Sequence, residues 1–468
     1  MIRHVRRPLG VCLILILFLY LAQSCLLDCP PVWPDEAYIA DISRNLMQRG
    51  QISTNLWGTM IPGAQESVLW YPPGIFYLYS SFFKIFGLSV EGLRGLSTVF
   101  GVLVLVVFFT LIRNYSHSFP IAAIATILLG LDNFFLRASR IARPEIFVLF
   151  FGLLSFYLFY KTLQNSRLHP KGVIVGFTCA LSALFHFSGL IFGAAILGHI
   201  IFLEKSKFLR SKRFIYFVLG FSAGFALWLP KLISNLPIFF EQIVLESQYR
   251  GLSPYFLHIL FRSGSAYQII ITFLYIGISL YFIFYSKIDF KKYLCIYLAL
   301  IFAWIFAIVG KIEWYVVLAV PFVYLAAILI FIKNFATAKK MIIILAVLIL
   351  ALNLKIYLDS LPKNDYKAFA AKVLEYIPKE KTVYVSAIPD PYFEFTKRGE
   401  NHLFYFPPLP TSKENYLKVL EQSDFIVINS NFEAAFVGDA LEKYLEENTK
   451  RQTDIEAGNY AAAVIELK

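Results

Sequence analysis

Up to about residue 358 the chain is a succession of long apolar runs broken by short polar loops. A bilayer core about 30 Å thick needs about 20 apolar residues per helix. Runs near that length lie at 8–27, 93–112, 118–136, 145–163, 171–186, 187–203, 214–230, 266–286, 293–310, 314–332 and 341–358, about eleven spans in all. The first run follows Arg3, Arg6 and Arg7. Its apolar stretch, Val11 to Leu27, is long for a signal peptide and reads as an uncleaved anchor. The loops placed on the N-terminal side of the membrane are short and collect Arg113, Lys161, Arg167, Lys171, Lys205, Lys207, Arg210, Lys212 and Arg213, then Lys287, Lys291, Lys292, Lys333, Lys339 and Lys340. Basic loops stay in the cytoplasm. The N-terminus is therefore expected inside and the C-terminal tail outside, in a periplasm or equivalent compartment.

Two outer loops are too long to be simple connectors. The first, 28–92, holds two helical patterns. One runs from Asp35 to Arg49 and stops at Gly50; the other runs from Gly74 to Phe86, opened by Pro72-Pro73 and stopped by Gly87. Proline at a start and glycine at an end are the usual helix punctuation, and both pieces are too short to span, so they read as interfacial helices. The second long loop, Lys231 to Ser265, mixes Glu241, Glu246, Arg250 and Arg262 with aromatics. After Leu361-Pro362 the pattern turns soluble. Thr382–Ile388, Asp424–Asn429 and Tyr460–Leu467 read as strands, and Lys413–Gln422 and Gly438–Glu447 as amphipathic helices. The expected architecture is mostly α: a polytopic transmembrane helical domain over 1–360 and a small soluble α/β domain over 361–468 on the outer face.

Composition agrees with that pattern. The chain of 468 residues is 58% hydrophobic and only 16% charged, which excludes an ordinary soluble enzyme. The net charge of +12 hides an asymmetry: Ser360–Lys468 carries 13 basic and 17 acidic residues, the remainder 30 and 14. The excess therefore belongs to membrane-flanking loops, and no basic–aromatic face marks a nucleic-acid binder. The five cysteines form no metal pattern; Cys25 and Cys29 are close enough in sequence to pair in an oxidising compartment.

Ionisable groups gather at the outer ends of spans. Asp35 and Glu36 follow the first span, with Arg44 further along the same helix. Arg137, Arg140, Arg143 and Glu145 fill the short loop between the third and fourth spans. A carboxylate pair opposite three arginines suits deprotonation of a hydroxyl and binding of a phosphate. The same Asp-Glu pair also suits the first turn of a helix, where carboxylates meet exposed N–H groups. No Gly-x-x-x-x-Gly-Lys loop or Asp-x-Asp pair points to a nucleotide.

In this order, Pro34-Asp35-Glu36-Ala37-Tyr38, Tyr71-Pro72-Pro73-Gly74, Phe86-Gly87-Leu88-Ser89, Arg94-Gly-Leu-Ser97 and Arg140-Ile-Ala-Arg143-Pro144-Glu145 resemble the membrane-embedded glycosyltransferases of the C superfamily. The branches concerned are the dolichyl-phosphate-mannose protein mannosyltransferases, the lipid A aminoarabinose transferases and their RgtA-like relatives. The likeness covers about residues 1–165, with weaker support at Glu313-Trp314-Tyr315. It implies an inverting transfer of sugar from a polyprenyl-phosphate donor to a hydroxyl of a glycolipid, glycan or protein, at a bacterial inner (plasma) membrane. Asp35 matches the family's general base and Glu36 its partner. Glu145 matches a second-loop acid, usually aspartate, that some members link to a metal. Arg137, Arg140 and Arg143 would face the donor phosphate, and Tyr71, Lys231, Arg250, Glu313 and Tyr315 could contact substrate. Tyr71 stands where the aminoarabinose branch has lysine, so one phosphate contact is absent or moved. No cofactor is indicated with certainty; a divalent metal is left open. A transporter or flippase of lipid-linked sugars is the alternative.

Overall fold

The computed structural model describes residues 2–24, 26–164, 170–251, 266–310, 313–333, 335–360, 365–399, 401–406, 411–429 and 438–468. Its N-terminal part is helical: α1 (Ile2–Gln23), α2 (Pro34–Arg49), α3 (Gly74–Phe86), α4 (Val90–Ser116), α5 (Phe119–Gly130), α6 (Asn133–Arg140), α7 (Glu145–Gln164), α8 (Gly172–Phe185), α9 (Leu190–Glu204) and α10 (Lys212–Phe225). Further helices follow at Leu236–Gly251, Ala266–Phe284, Phe290–Gly310, Val320–Lys333 and Phe335–Asp359. By length and apolarity, five described stretches can cross a membrane: α4, α7, Phe187–Arg210, Ala266–Phe284 and Phe290–Val309. The pair α5–α6 makes a sixth if it counts as one span. The protein is a membrane protein; the count of about eleven rests on the sequence pattern.

Several expected spans differ in form. The run at 118–136 is a helix pair bent by 64°. Asp132 sits at the break, caps the Phe135 amide at 3.2 Å, and accepts the hydroxyls of Tyr275 and, at 3.1 Å, Tyr324. The runs at 171–186, 214–230 and 314–332 form helices of 14 residues each. Fourteen residues rise only about 21 Å. Two of these short helices, α8 and α10, touch backbone to backbone. A Cβ on Gly176 would lie 2.0 Å from the Phe217 carbonyl oxygen, and one on Gly220 1.8 Å from that of Val173. Small residues permit this approach in membrane helices.

In the first outer loop the two helices stand where the proline–glycine punctuation puts them. The tail forms a five-stranded sheet ordered β2-β1-β3-β5-β4, with β1 (Thr382–Ser386), β2 (His402–Tyr405), β3 (Phe425–Ile428), β4 (Thr449–Ala457) and β5 (Tyr460–Leu467). β1 pairs in parallel with β2 and β3, while β5 runs antiparallel to β3 and β4. The strands expected at 382–388, 424–429 and 460–467 are present. β2 and β4 escape the pattern because both lie at sheet edges, where few residues need be apolar.

The sheet domain packs directly on the first outer loop. The Tyr405 amide donates to Leu56 O at 2.6 Å, the Asp390 amide to Val32 O at 2.9 Å, and the Tyr38 hydroxyl to Phe406 O at 2.7 Å. The Tyr392 hydroxyl reaches Asp41 at 3.0 Å, and the Tyr366 amide reaches Asp28 at 3.0 Å. From another direction the Gln242 side chain accepts the Leu69 amide at 2.8 Å and donates to Ser67 O at 2.9 Å. Loop 28–92 is thereby held between the helical bundle and the tail.

This contact is expected to respond to pH. Asp390 is fully buried at the junction, where burial pushes its carboxyl up from 3.8 to about 7 against the pull of the Tyr405 hydroxyl and the Tyr392 amide. A raised carboxyl favours the neutral form in the docked state. Docking is thus strongest below the ordinary value and weakens as pH rises through about 7, by about 1.4 kcal/mol per pH unit across that window. Protection of β1 and β2 amides from hydrogen exchange, with the intrinsic base catalysis of exchange divided out, should be lower at about pH 8 than at about pH 5.5. The difference should vanish in Asp390→Asn; an equal response in that variant would clear Asp390 of the effect.

Candidate active site

Pro34 opens α2 and puts Asp35 and Glu36 in its first turn. The Trp33 amide donates to Glu36 Oε2 at 3.0 Å, so the helix start is closed by its own third residue. Beyond this local role the two acids diverge. Glu36 is fully buried and paired with Arg94 of α4, through Nη2–Oε2 at 2.5 Å and Nε–Oε1 at 2.9 Å. Its Oε1 also accepts the Ala142 amide at 2.9 Å. Arg94, equally buried, donates onward to the carbonyls of Leu26, Pro30 and Pro31 at 2.6, 2.8 and 3.1 Å. One ion pair therefore fastens the 26–33 segment, α2, α4 and the loop after α6.

Asp35, one residue earlier, points away from this knot. Its side chain is 27% exposed and its Oδ2 meets Nη1 of Arg143. The other edge of the same guanidinium meets Glu145: Nη2 lies 2.9 Å from Oε1, and Nε lies 3.2 and 3.3 Å from Oε1 and Oε2. Glu145 opens α7 and is 2% exposed. Trp314 covers this cluster. Its ring centroid lies 5.0 Å from the Arg143 guanidinium carbon and 3.6 Å from that of Arg137, with Trp33 edge-on at 6.4 Å. An indole face attracts cations and orders flat guanidinium groups.

Arg140 faces elsewhere. It is buried, donates to the carbonyls of Leu21 and Cys29, and lies 5.2 Å from the Tyr357 ring. Its guanidinium ties α6 to the end of α1.

A second cluster begins one residue from Trp314. Tyr315 is buried, with its hydroxyl 3.4 Å from Nε2 of His186. The His186 Nδ1 lies 2.9 Å from the Ser188 hydroxyl, and Tyr71 stands edge-on to the imidazole at 5.5 Å. Close packing brings Tyr71 there: a Cβ on Gly74, at the head of α3, would lie 2.7 Å from the Leu184 carbonyl oxygen of α8. The segment 313–318 joins the two clusters, Trp314 on the arginines and Tyr315 on the histidine.

Of the residues singled out from sequence, Asp35, Arg137, Arg143 and Glu145 converge. Glu36 and Arg140 sit beside them in structural pairings. Tyr71 and Tyr315 belong to the histidine cluster. Lys231 lies on the separate helix Leu229–Ser234, and the side chains of Arg250 and Glu313 fall outside the described residues, as does Cys25. The Arg94 pairing and the Trp314 cover carried no sequence signal, since each depends on residues far apart in the chain. A small cavity bordered by Phe159, Gly172, Ile200 and Phe217 lies at the far end of α7 from Glu145, about 21 Å along its axis.

Residues 71–233 match the dolichyl-phosphate-mannose-protein mannosyltransferase family. The resemblance to membrane-embedded glycosyltransferases of the C superfamily stands. An uncharacterized protein of Aquifex aeolicus (strain VF5) is 31% identical over 137 residues, 29% of this chain and 26% of its own length. The match thus spans about a quarter of that relative. Among solved structures, the archaeal oligosaccharyltransferase AglB from Archaeoglobus fulgidus, in complex with an inhibitory peptide and a dolichol-phosphate, superposes with a TM-score of 0.55. Identity is 14%, and the match covers 91% of this chain and 70% of that one. A structure of the Archaeoglobus fulgidus enzyme with Zn and sulfate gives a TM-score of 0.51 at 17% identity, covering 84% of this chain and 64% of the other. The fold is shared with these enzymes. Family match and fold are those of glycosyl-transfer enzymes.

Proposed function

We propose that the protein is an integral-membrane glycosyltransferase that moves a sugar from a polyprenyl-phosphate donor to a hydroxyl of a glycolipid, glycan or protein on the non-cytoplasmic face. The observation that carries this reading is Asp35: a partly exposed carboxylate aimed by Arg143 in an otherwise buried cluster of acids and arginines. The acceptor hydroxyl gives its proton to Asp35 as its oxygen attacks the anomeric carbon. The bond from that carbon to the phosphate oxygen breaks, its electron pair stays on the phosphate, and the anomeric centre inverts. Arg143 and Arg137 stabilise the growing phosphate charge. Glu36 and Arg140 act as positioning residues, because their partners are Arg94 and backbone groups. Glu145 holds Arg143. The match to the mannosyltransferase family over 71–233 and the fold shared with an oligosaccharyltransferase seen with dolichol-phosphate support a lipid-linked donor.

The test is transfer of labelled sugar from a panel of polyprenyl-phosphate donors by membranes bearing the protein. Incorporation into a product absent from control membranes supports the reading and names the acceptor. Movement of intact labelled donor across the bilayer without transfer would favour a flippase instead.

A further inference from the structure

We infer that the resident cation of this site is the Arg143 guanidinium, which occupies the place between Asp35 and Glu145 that a divalent metal would need. The catalytic part of this inference rests on the proposed transfer; the binding part does not.

Two carboxylates on neighbouring elements are the usual beginning of a divalent-cation site, and a fold relative is known with Zn. The residues here do not fit one. Hard divalent cations need several oxygens directed at one point about 2.0–2.6 Å away. Here both carboxylates are directed at a guanidinium: Asp35 at Nη1, Glu145 at Nη2 and Nε across 2.9–3.3 Å. Opposite edges of one planar cation are filled, an arrangement that arginine geometry favours. Its face is covered by Trp314 at 5.0 Å, a surface that suits a weakly hydrated guanidinium and offers no oxygen to a hydrated dication. Arg137 adds a second positive charge on the same indole at 3.6 Å. A dication placed between Asp35 and Glu145 would sit against Arg143 and beside Arg137. Among the described residues no three His, Cys, Asp or Glu side chains converge as ligands, and the His186 imidazole is turned to Ser188 and Tyr315. Arg143 therefore does the electrostatic work that a metal would do, fixing Asp35 and presenting positive charge to a phosphate.

The experiment is thermal unfolding of the purified protein in detergent, titrated with Mn²⁺ and Zn²⁺, alongside transfer activity with and without chelator. Wild type should show no metal-induced shift that Glu145→Gln removes, and chelation should leave transfer within about twofold. Arg143→Ala, which frees both carboxylates, should gain a metal-dependent rise of about 2–4 °C. That gain should disappear when Glu145→Gln is added. A wild-type shift lost in Glu145→Gln would overturn the inference, as would a folded Arg143→Ala that gains none. If Arg143→Ala does not fold, the comparison of wild type with Glu145→Gln decides alone. Absence of transfer from every donor would sink the proposed function while the titration still decides what the site binds.

Discussion

Asp35→Asn is expected to lower sugar transfer by about 10²–10⁴-fold, the range lost with a general base, while leaving the unfolding temperature unchanged. The two halves of this expectation have separate causes. Asparagine keeps an oxygen that Nη1 of Arg143 can donate to, so the cluster stays assembled. Arg143 also keeps Glu145 as its buried partner, so the substitution strands no charge. What asparagine cannot do is take a proton from an attacking hydroxyl. Labelled-sugar incorporation at equal expression is the measurement. Incorporation equal to wild type would remove Asp35 as the base and leave Glu145, the other acid on Arg143, as the next candidate. Replacing Glu145 by Gln should act more mildly, through loosened hold on Arg143.

Breaking the Glu36–Arg94 pair should have the opposite signature. Arg94→Met strands a fully buried carboxylate and also removes the donors that satisfy Leu26, Pro30 and Pro31. Removing one partner of a buried ion pair costs about 3–5 kcal/mol, because the remaining charge stays out of water. The unfolding temperature in detergent should drop accordingly, and with it the yield of folded protein. Glu36→Gln strands the guanidinium and should be nearly as damaging. The double variant Glu36→Gln, Arg94→Met removes both charges and should be more stable than the sum of the singles implies. Additive losses would mean that the two residues stabilise the fold independently. A Glu36→Gln protein that melts like wild type but transfers no sugar would move Glu36 into the chemistry.

The contrast between these neighbours shows how far the chain could be read directly. Asp35 and Glu36 are adjacent, share a helix turn, and carry the same charge, so the sequence presents them as a pair. Whether each faces solvent or core depends on Arg94, 58 positions away, and on the Ala142 amide, 106 positions away. Arg140 and Arg143 are likewise alike in sequence, yet one caps the end of α1 and the other clasps two acids. In the sequence Trp314 stood only within the weaker match at Glu313-Trp314-Tyr315; it covers the arginines because the segment 313–318 crosses beside α6 and α7.

Local rules were enough for much of the rest. The apolar runs set the membrane class, and proline and glycine marked α2 and α3, because backbone freedom is a property of single residues. The composition change after Pro362 marked where the sheet-forming part of the chain begins. The straightness of the runs was less legible: Asp132 sits at the bend in one of them, capping the Phe135 amide locally and taking the hydroxyls of Tyr275 and Tyr324 from distant helices. Sequence thus determined the membrane class, the places where the outer loop turns, and a short list of charged residues of which Asp35, Arg137, Arg143 and Glu145 converge. Tertiary structure decided which carboxylate is fastened in the core and which stays partly open to solvent. Burial and ion pairing are settled between elements, by partners that periodicity along one element cannot name.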